Sequence, residues 1–145
     1  PKFEMASLFD GAKLHKNGGG EADNSVLQGK VLGLYFSAHW CPPCRNFTPL
    51  LKDFYVELEG EDFEIVFVSF DRSDSDLQKY LSEAHGEWYY LAHGDKLIQE
   101  LSTKFGVSGI PALIVLKPDG TLITKDGRSV VQSKPPGQAL AAWKK

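Results

Sequence analysis

The chain has 145 residues, 42% of them hydrophobic, and a formal net charge of −3, a composition that suits a globular domain long enough for a full-sized core. No basic block points to a nucleic-acid surface, since the terminal Lys144-Lys145 is too short to count. No apolar run approaches the roughly 20 residues needed to span a bilayer.

The N-terminal region holds a short apolar stretch, Met5-Ala6-Ser7-Leu8-Phe9, then a polar segment with Gly18-Gly19-Gly20. That segment reads as a hairpin tip or loop. It lacks the Gly-Lys-Ser/Thr ending of a phosphate-binding loop, so nucleotide binding is not expected. Val31–Ser37 is a nearly continuous apolar run, which predicts a central strand covered on both faces. Residues 45–58 predict a helix whose apolar stripe is Phe47, Leu50, Leu51, Phe54 and Leu58. Pro49 lies inside it and removes a hydrogen bond to the Arg45 carbonyl, which predicts a kink.

Residues 63–70 predict a second buried strand. Helices are expected over 74–84, with Leu77, Tyr80 and Leu81 inward, and over 96–105. Ala112–Leu116, the turn Lys117-Pro118-Asp119-Gly120 and residues 121–124 predict an antiparallel hairpin. A short helix over 138–143 closes the chain. This order predicts a mixed central sheet with helices on both faces, and no repeat or linker divides residues 1–145, so one domain is expected.

Trp40-Cys41-Pro42-Pro43-Cys44 holds the only two cysteines. A strand that delivers C-x-x-C to the first turn of a helix suits reversible dithiol–disulfide chemistry. The reactive species is the thiolate, and free cysteine, with a pKa of about 8.5, is mostly protonated at neutral pH. At the mouth of a helix, Cys41 faces unpaired N–H groups and the positive end of the helix dipole, and Arg45 adds a charge. Cys41 is therefore the expected nucleophile. Cys44, three residues on, shares its helix face and is the expected resolving thiol.

A bridge across so short a loop removes little unfolded-chain entropy, so it serves to be made and broken. Pro42 suits the first helical position, and with Pro43 it restricts the loop and tunes the potential. Zinc needs three or four ligands. Two cysteines and four scattered histidines (His15, His39, His85, His93) predict no metal site. His39 is expected to face solvent and tune Cys41 electrostatically. Asn46-Phe47-Thr48 matches a glycosylation acceptor, but it falls in the first turns of this helix and reads as chance. With both cysteines in one motif, no structural disulfide framework remains, which favours a reducing compartment. No signal-peptide pattern follows Pro1, so the expected location is cytoplasmic and/or nuclear.

Val107-Ser108-Gly109-Ile110-Pro111 precedes the last hairpin, and a proline at a strand entry marks either an edge or a special geometry such as a cis peptide. Together with the dithiol motif, this resembles the thioredoxin superfamily. The closer similarity is to tryparedoxins and nucleoredoxins, carried by the run from Phe36 through Trp40-Cys41-Pro42-Pro43-Cys44 to Pro49. Val68-Ser69-Phe70-Asp71, Trp88, Phe105-Gly106-Val107, Arg128 and Trp143 add to it, and it spans roughly residues 25–145.

The resemblance implies a thioredoxin fold of the α/β class with an N-terminal β extension, a central mixed β-sheet and helices on both faces. It also implies a cis bond before Pro111 that packs against the dithiol, with Ile110 offering its backbone to an extended client segment. Pro111 would shape the groove and keep metals off the thiols, Trp40 would wall it, and Arg128 would contact an acidic client or reductant or else be a solvated surface charge. Tryparedoxins carry Trp-Asp-Glu where this chain has Phe70-Asp71-Arg72, which argues against a polyamine–glutathione reductant and toward nucleoredoxin-like proteins. Tyr35 stands where ordinary thioredoxins keep a buried acid, leaving bound water or Asp71 to deprotonate Cys44.

The expected function is therefore reduction of protein disulfides through the Cys41–Cys44 couple, in redox regulation of signalling proteins. No cofactor is expected. The expected partners are disulfide-containing clients and an external thiol or a thioredoxin-reductase-type electron donor. Two alternatives stay open. One is a redox-gated binding regulator of a signalling or transcription factor with little turnover. The other is an extracytoplasmic reductase of the cytochrome-maturation type, against which Phe47-Thr48-Pro49 and the lack of an anchor argue.

Overall fold

The computed structural model describes Leu8, Phe9 and residues 11–145. Met5, Ala6 and Ser7 of the first apolar stretch lie outside these residues. In chain order the elements are β1 (Leu14–Lys16), β2 (Glu21–Ala22), a 3-10 turn (Asn24–Leu27), β3 (Val31–Ser37), α1 (Pro42–Glu57), β4 (Phe63–Ser69), α2 (Asp74–Ala84), β5 (Tyr89–Tyr90), α3 (Lys96–Lys104), β6 (Ala112–Leu116), β7 (Leu122–Thr124), α4 (Gly127–Ser133) and α5 (Pro136–Trp143). The strands form one sheet in the order β2-β1-β5-β4-β3-β6-β7. β3 runs parallel to β4 and antiparallel to β6. This is a thioredoxin fold, and the β1–β2 hairpin, with Gly18 to Gly20 between its strands, extends the sheet at one edge.

The core explains why β3 reads as an unbroken apolar run. Its alternate side chains enter two different layers. Val31 and Tyr35 join Phe47, Leu51 and Phe54 of α1 together with Leu77, Trp88 and Trp143. Leu32, Leu34 and Phe36 join Phe9, Leu14, Leu27 and Leu101 on the other face. A strand buried on both faces has no polar positions to spare.

Three features differ from the sequence expectation. Leu50 is 47% exposed; the buried face of α1 is Cys44, Phe47, Thr48, Leu51 and Phe54, so one position of the expected stripe carries a threonine instead. α1 starts at Pro42, the expected first helical position, and continues through Pro49 to Glu57, which makes the second cysteine part of its first turn. α4 was not expected, because Gly127-Arg128-Ser129-Val130-Val131 has weak helix propensity. It forms where Asp126 caps it and Gly127 lies flush on β6. β5 has only two residues, too few for a periodic signal.

Two predictions follow from the packing. A Cβ at Gly127 would lie 2.9 Å from Leu113 Cγ, Leu113 Cδ2 and Val115 Cγ2. Gly127→Ala should therefore destabilise the fold by about 1–3 kcal/mol in urea unfolding, despite alanine's better helix propensity.

The second concerns His85, whose ring is buried among Phe67, Tyr80 and Trp88. Its Nδ1 accepts from Trp88 Nε1 at 3.1 Å. Indole only donates, so the neutral ring keeps its proton on Nε2, which has no partner. Burial, with a smaller push from Lys52, lowers the His85 pKa from 6.5 to about 3. Between those values the unfolded chain binds the extra proton and the native state does not. Stability therefore rises with pH, is fully present above about 6.5 and is lost as pH falls toward 3. Measured at pH 4 and pH 7, the gain in unfolding free energy should be about 2–3 kcal/mol smaller in His85→Gln than in wild type. An equal gain in both would contradict the assignment.

Candidate active site

Strand register gathers three segments at one end of the sheet. Ser37, the last residue of β3, pairs with Ser69, the last of β4, and the Phe70 N–H donates to the Ser37 carbonyl at 2.9 Å. Phe36 pairs with Ala112, the first residue of β6. Hence Ala38 to Cys41, Phe70 to Arg72 and Ile110-Pro111 meet beyond the carboxyl ends of the central parallel strands, where open α/β sheets form crevices. Phe70 and Ile110 pack against Ala38, Cys41 and Cys44.

Cys41 is the N-cap of α1, with φ −101° and ψ 108°, and its Sγ accepts the Cys44 N–H at 3.3 Å. Sulfur thus takes the position in which serine or aspartate usually satisfies one of the free N–H groups of a first turn. Pro42 and Pro43 follow at the first two helical positions, where one missing donor costs nothing. Cys41 and Cys44 are joined as a disulfide with a Cα–Cα separation of 5.2 Å. Cys41 is 5% exposed and Cys44 is fully buried, so an incoming group meets the first sulfur.

The Ile110–Pro111 bond is cis, and the Ile110 carbonyl oxygen lies 3.8 Å from Cys41 Sγ. Trp40, 46% exposed, is held on the other side by a hydrogen bond from its Nε1 to the Phe70 carbonyl at 3.1 Å. Arg128 is half-buried, neither a solvated surface charge nor a free arm. Its Nη1 donates to the Pro111 carbonyl at 3.2 Å and its guanidinium lies over the Phe47 ring. It braces the loop that carries the cis proline.

Two neighbours of the motif are engaged by other groups. His39 turns to α2, where its Nε2 meets Glu83 Oε1 at 3.1 Å, rather than toward Cys41. Asp71 is buried with both oxygens engaged. Oδ1 accepts the His39 N–H at 2.7 Å and Oδ2 accepts from Ser69 Oγ at 2.6 Å. Its carboxylate thus ties the loop after β4 to the loop after β3.

Below the dithiol lies a buried set of hydroxyls that sequence reasoning missed. Thr48 Oγ1 donates to the Cys44 carbonyl at 2.8 Å and lies 2.6 Å from the hydroxyls of both Tyr35 and Tyr80. Tyr80 lies 2.6 Å from Ser37 Oγ. Burial raises both tyrosine pKa values, so the phenols stay protonated and satisfy one another. The spacing held the signal: Thr48 is four residues after Cys44 on one helix face, and Tyr35 and Ser37 share one face of β3. Among the described residues, no three His, Cys, Asp or Glu side chains are placed to hold a metal ion. No described helix is long and apolar enough to cross a membrane.

Residues 29–122 match the family described as thioredoxin-like. Probable nucleoredoxin 3 of Oryza sativa subsp. japonica is 44% identical over 110 residues, covering 74% of this chain and 23% of that protein. The chain spans about a quarter of the length of the curated nucleoredoxins it matches. Among solved structures, the thioredoxin of Wuchereria bancrofti is 51% identical with a TM-score of 0.81, covering 91% of this chain and 93% of that one. Tryparedoxin II of C. fasciculata is 34% identical with a TM-score of 0.86, covering 96% of this chain and 94% of that one. Fold, dithiol and comparisons agree: the chain belongs to the thioredoxin-like family.

Proposed function

We propose that the chain reduces disulfides of client proteins through Cys41 and Cys44. The Cys41 thiolate attacks one client sulfur, forming a mixed disulfide and releasing the other client sulfur as a thiolate. Cys44, deprotonated, then attacks Cys41 Sγ, releases the remaining client thiolate and closes the Cys41–Cys44 disulfide. Two electrons pass to the client. An external dithiol, or a donor of the thioredoxin-reductase type, returns them.

The observation that carries this reading is the asymmetry of the two sulfurs. Cys41 caps the helix and is the more open; Cys44 is sealed beneath it within attacking distance. The Ile110 carbonyl beside Cys41 supports strand-like pairing with an extended client segment. Trp40, Pro42 and Pro43 are exposed and flank Cys41 in sequence, which supports a place in the client groove. Arg128 supports the site by holding the Pro111 carbonyl. Asp71 is ill-suited as the base for Cys44, because both of its oxygens already accept hydrogen bonds. Bound water is the proton acceptor we assign.

We place this activity in redox regulation of signalling proteins in the cytoplasm or nucleus, a reading supported by the nucleoredoxins among the relatives. Cys41→Ser should abolish turnover of a disulfide-bonded protein substrate, whereas Cys44→Ser should accumulate a mixed disulfide with it on non-reducing gels. Turnover that survives Cys41→Ser would sink the mechanism. If both variants lost turnover and neither trapped the client, Cys44 would not be the resolving thiol.

A further inference from the structure

Arg72 is an exposed cation with no ion pair among the described residues. Its guanidinium lies 5.0 Å from the centre of the Trp40 ring. That indole is itself fixed through Nε1 to the Phe70 carbonyl and stands next in sequence to Cys41. The cation is therefore held at the rim of the reactive sulfur rather than swinging free. A guanidinium lying on an aromatic ring still presents N–H donors at its edge, in a fork that matches a carboxylate. Lysine, a single hydrated ammonium, would not hold that orientation.

The acidic neighbours leave this charge uncompensated. Asp71 is buried and spends both oxygens on His39 and Ser69. Glu83 meets His39. Asp74 and Asp76, at the start of α2, form no ion pair with Arg72 among the described residues. Arg45, exposed just after Cys44 in the first turn of α1, adds a second positive charge that has no ion pair among the described residues.

We propose that Arg72 is a specificity-determining residue that selects client segments with an acidic residue close to the disulfide cysteine. The client carboxylate docks on the edge of the Trp40-stacked guanidinium while the client sulfur meets Cys41. This rests on the dithiol reading above and adds the substrate class to it. Complementary charge at a rim acts mainly on encounter and on rejection of like-charged partners, so the preference should weaken with salt.

The test uses disulfide-bonded peptides that differ only in carrying Glu or Lys at each of the three positions either side of one cysteine. A small uncharged disulfide serves as the reference substrate. Wild type should reduce the best Glu peptide about five- to tenfold faster, by kcat/KM, than its Lys counterpart at low salt, the size expected of one exposed charge pair and its reversal. Arg72→Gln should bring the ratio near one, Arg72→Glu should invert it, and Arg72→Lys should keep part of it. All three should reduce the uncharged disulfide within about twofold of the wild-type rate.

A Glu/Lys ratio unchanged across the variants would overturn the proposal. So would an equal fall in rate on every substrate, which would assign Arg72 to the thiolate and not to the client. Failure of wild type to reduce even the uncharged disulfide would instead overturn the dithiol reading itself, and this proposal with it.

Discussion

The seating of α1 on the carboxyl end of β3 is the constraint on which the site depends. Cys41 caps the helix with its own sulfur, so the atom that does the chemistry is also the atom that satisfies the first turn. Its position is inherited from the core. Phe47, Leu51 and Phe54 lock α1 against the Tyr35 face of β3, and β3 is held on both sides by β4 and β6. The same registers deliver the Ile110 carbonyl and the Phe70–Arg72 loop to that sulfur. Moving one strand by one residue would turn each of these groups to the other face of the sheet.

The layer under the dithiol trades an ionisable group for neutral ones. Tyr35, Thr48, Tyr80 and Ser37 form a closed exchange of hydrogen bonds that reaches the Cys44 carbonyl. Each of these four hydroxyls finds a partner without bringing charge into the layer, where an unpaired ion would cost far more than a hydroxyl. Charge is kept at the surface instead, on Arg45 and Arg72 near the mouth of the site, while the buried carboxylates Asp71 and Glu64 are each bound by backbone N–H and side-chain hydroxyl groups. The site thus pairs a neutral floor with a cationic rim.

Much of this was legible in the sequence, for identifiable reasons. Val31–Ser37 and Phe63–Ser69 are apolar on both faces because both faces are covered, and Trp40-Cys41-Pro42-Pro43-Cys44 marks the helix start because proline and a capping atom fit only there. From the residues alone Ile110-Pro111 could be flagged but not oriented, since its place beside Cys41 comes from the β3–β6 register; only the family resemblance put it against the dithiol. What escaped was fixed by tertiary contact. α4 exists because Gly127 fits against Leu113 and Val115, not because its residues favour helix. His39 points to Glu83, and Arg128 braces Pro111, through partners 44 and 17 residues away in sequence. No local pattern reports such pairings.

The central claim is that the helix mouth makes the two sulfurs unequal. The most direct measurement is alkylation of the fully reduced protein at neutral pH with a limiting amount of iodoacetamide, followed by mass mapping of the labelled cysteine. The account predicts that Cys41 is modified at least about tenfold faster than Cys44, because it is the capped and more open sulfur while Cys44 is sealed beneath it. Equal labelling, or faster labelling of Cys44, would contradict it.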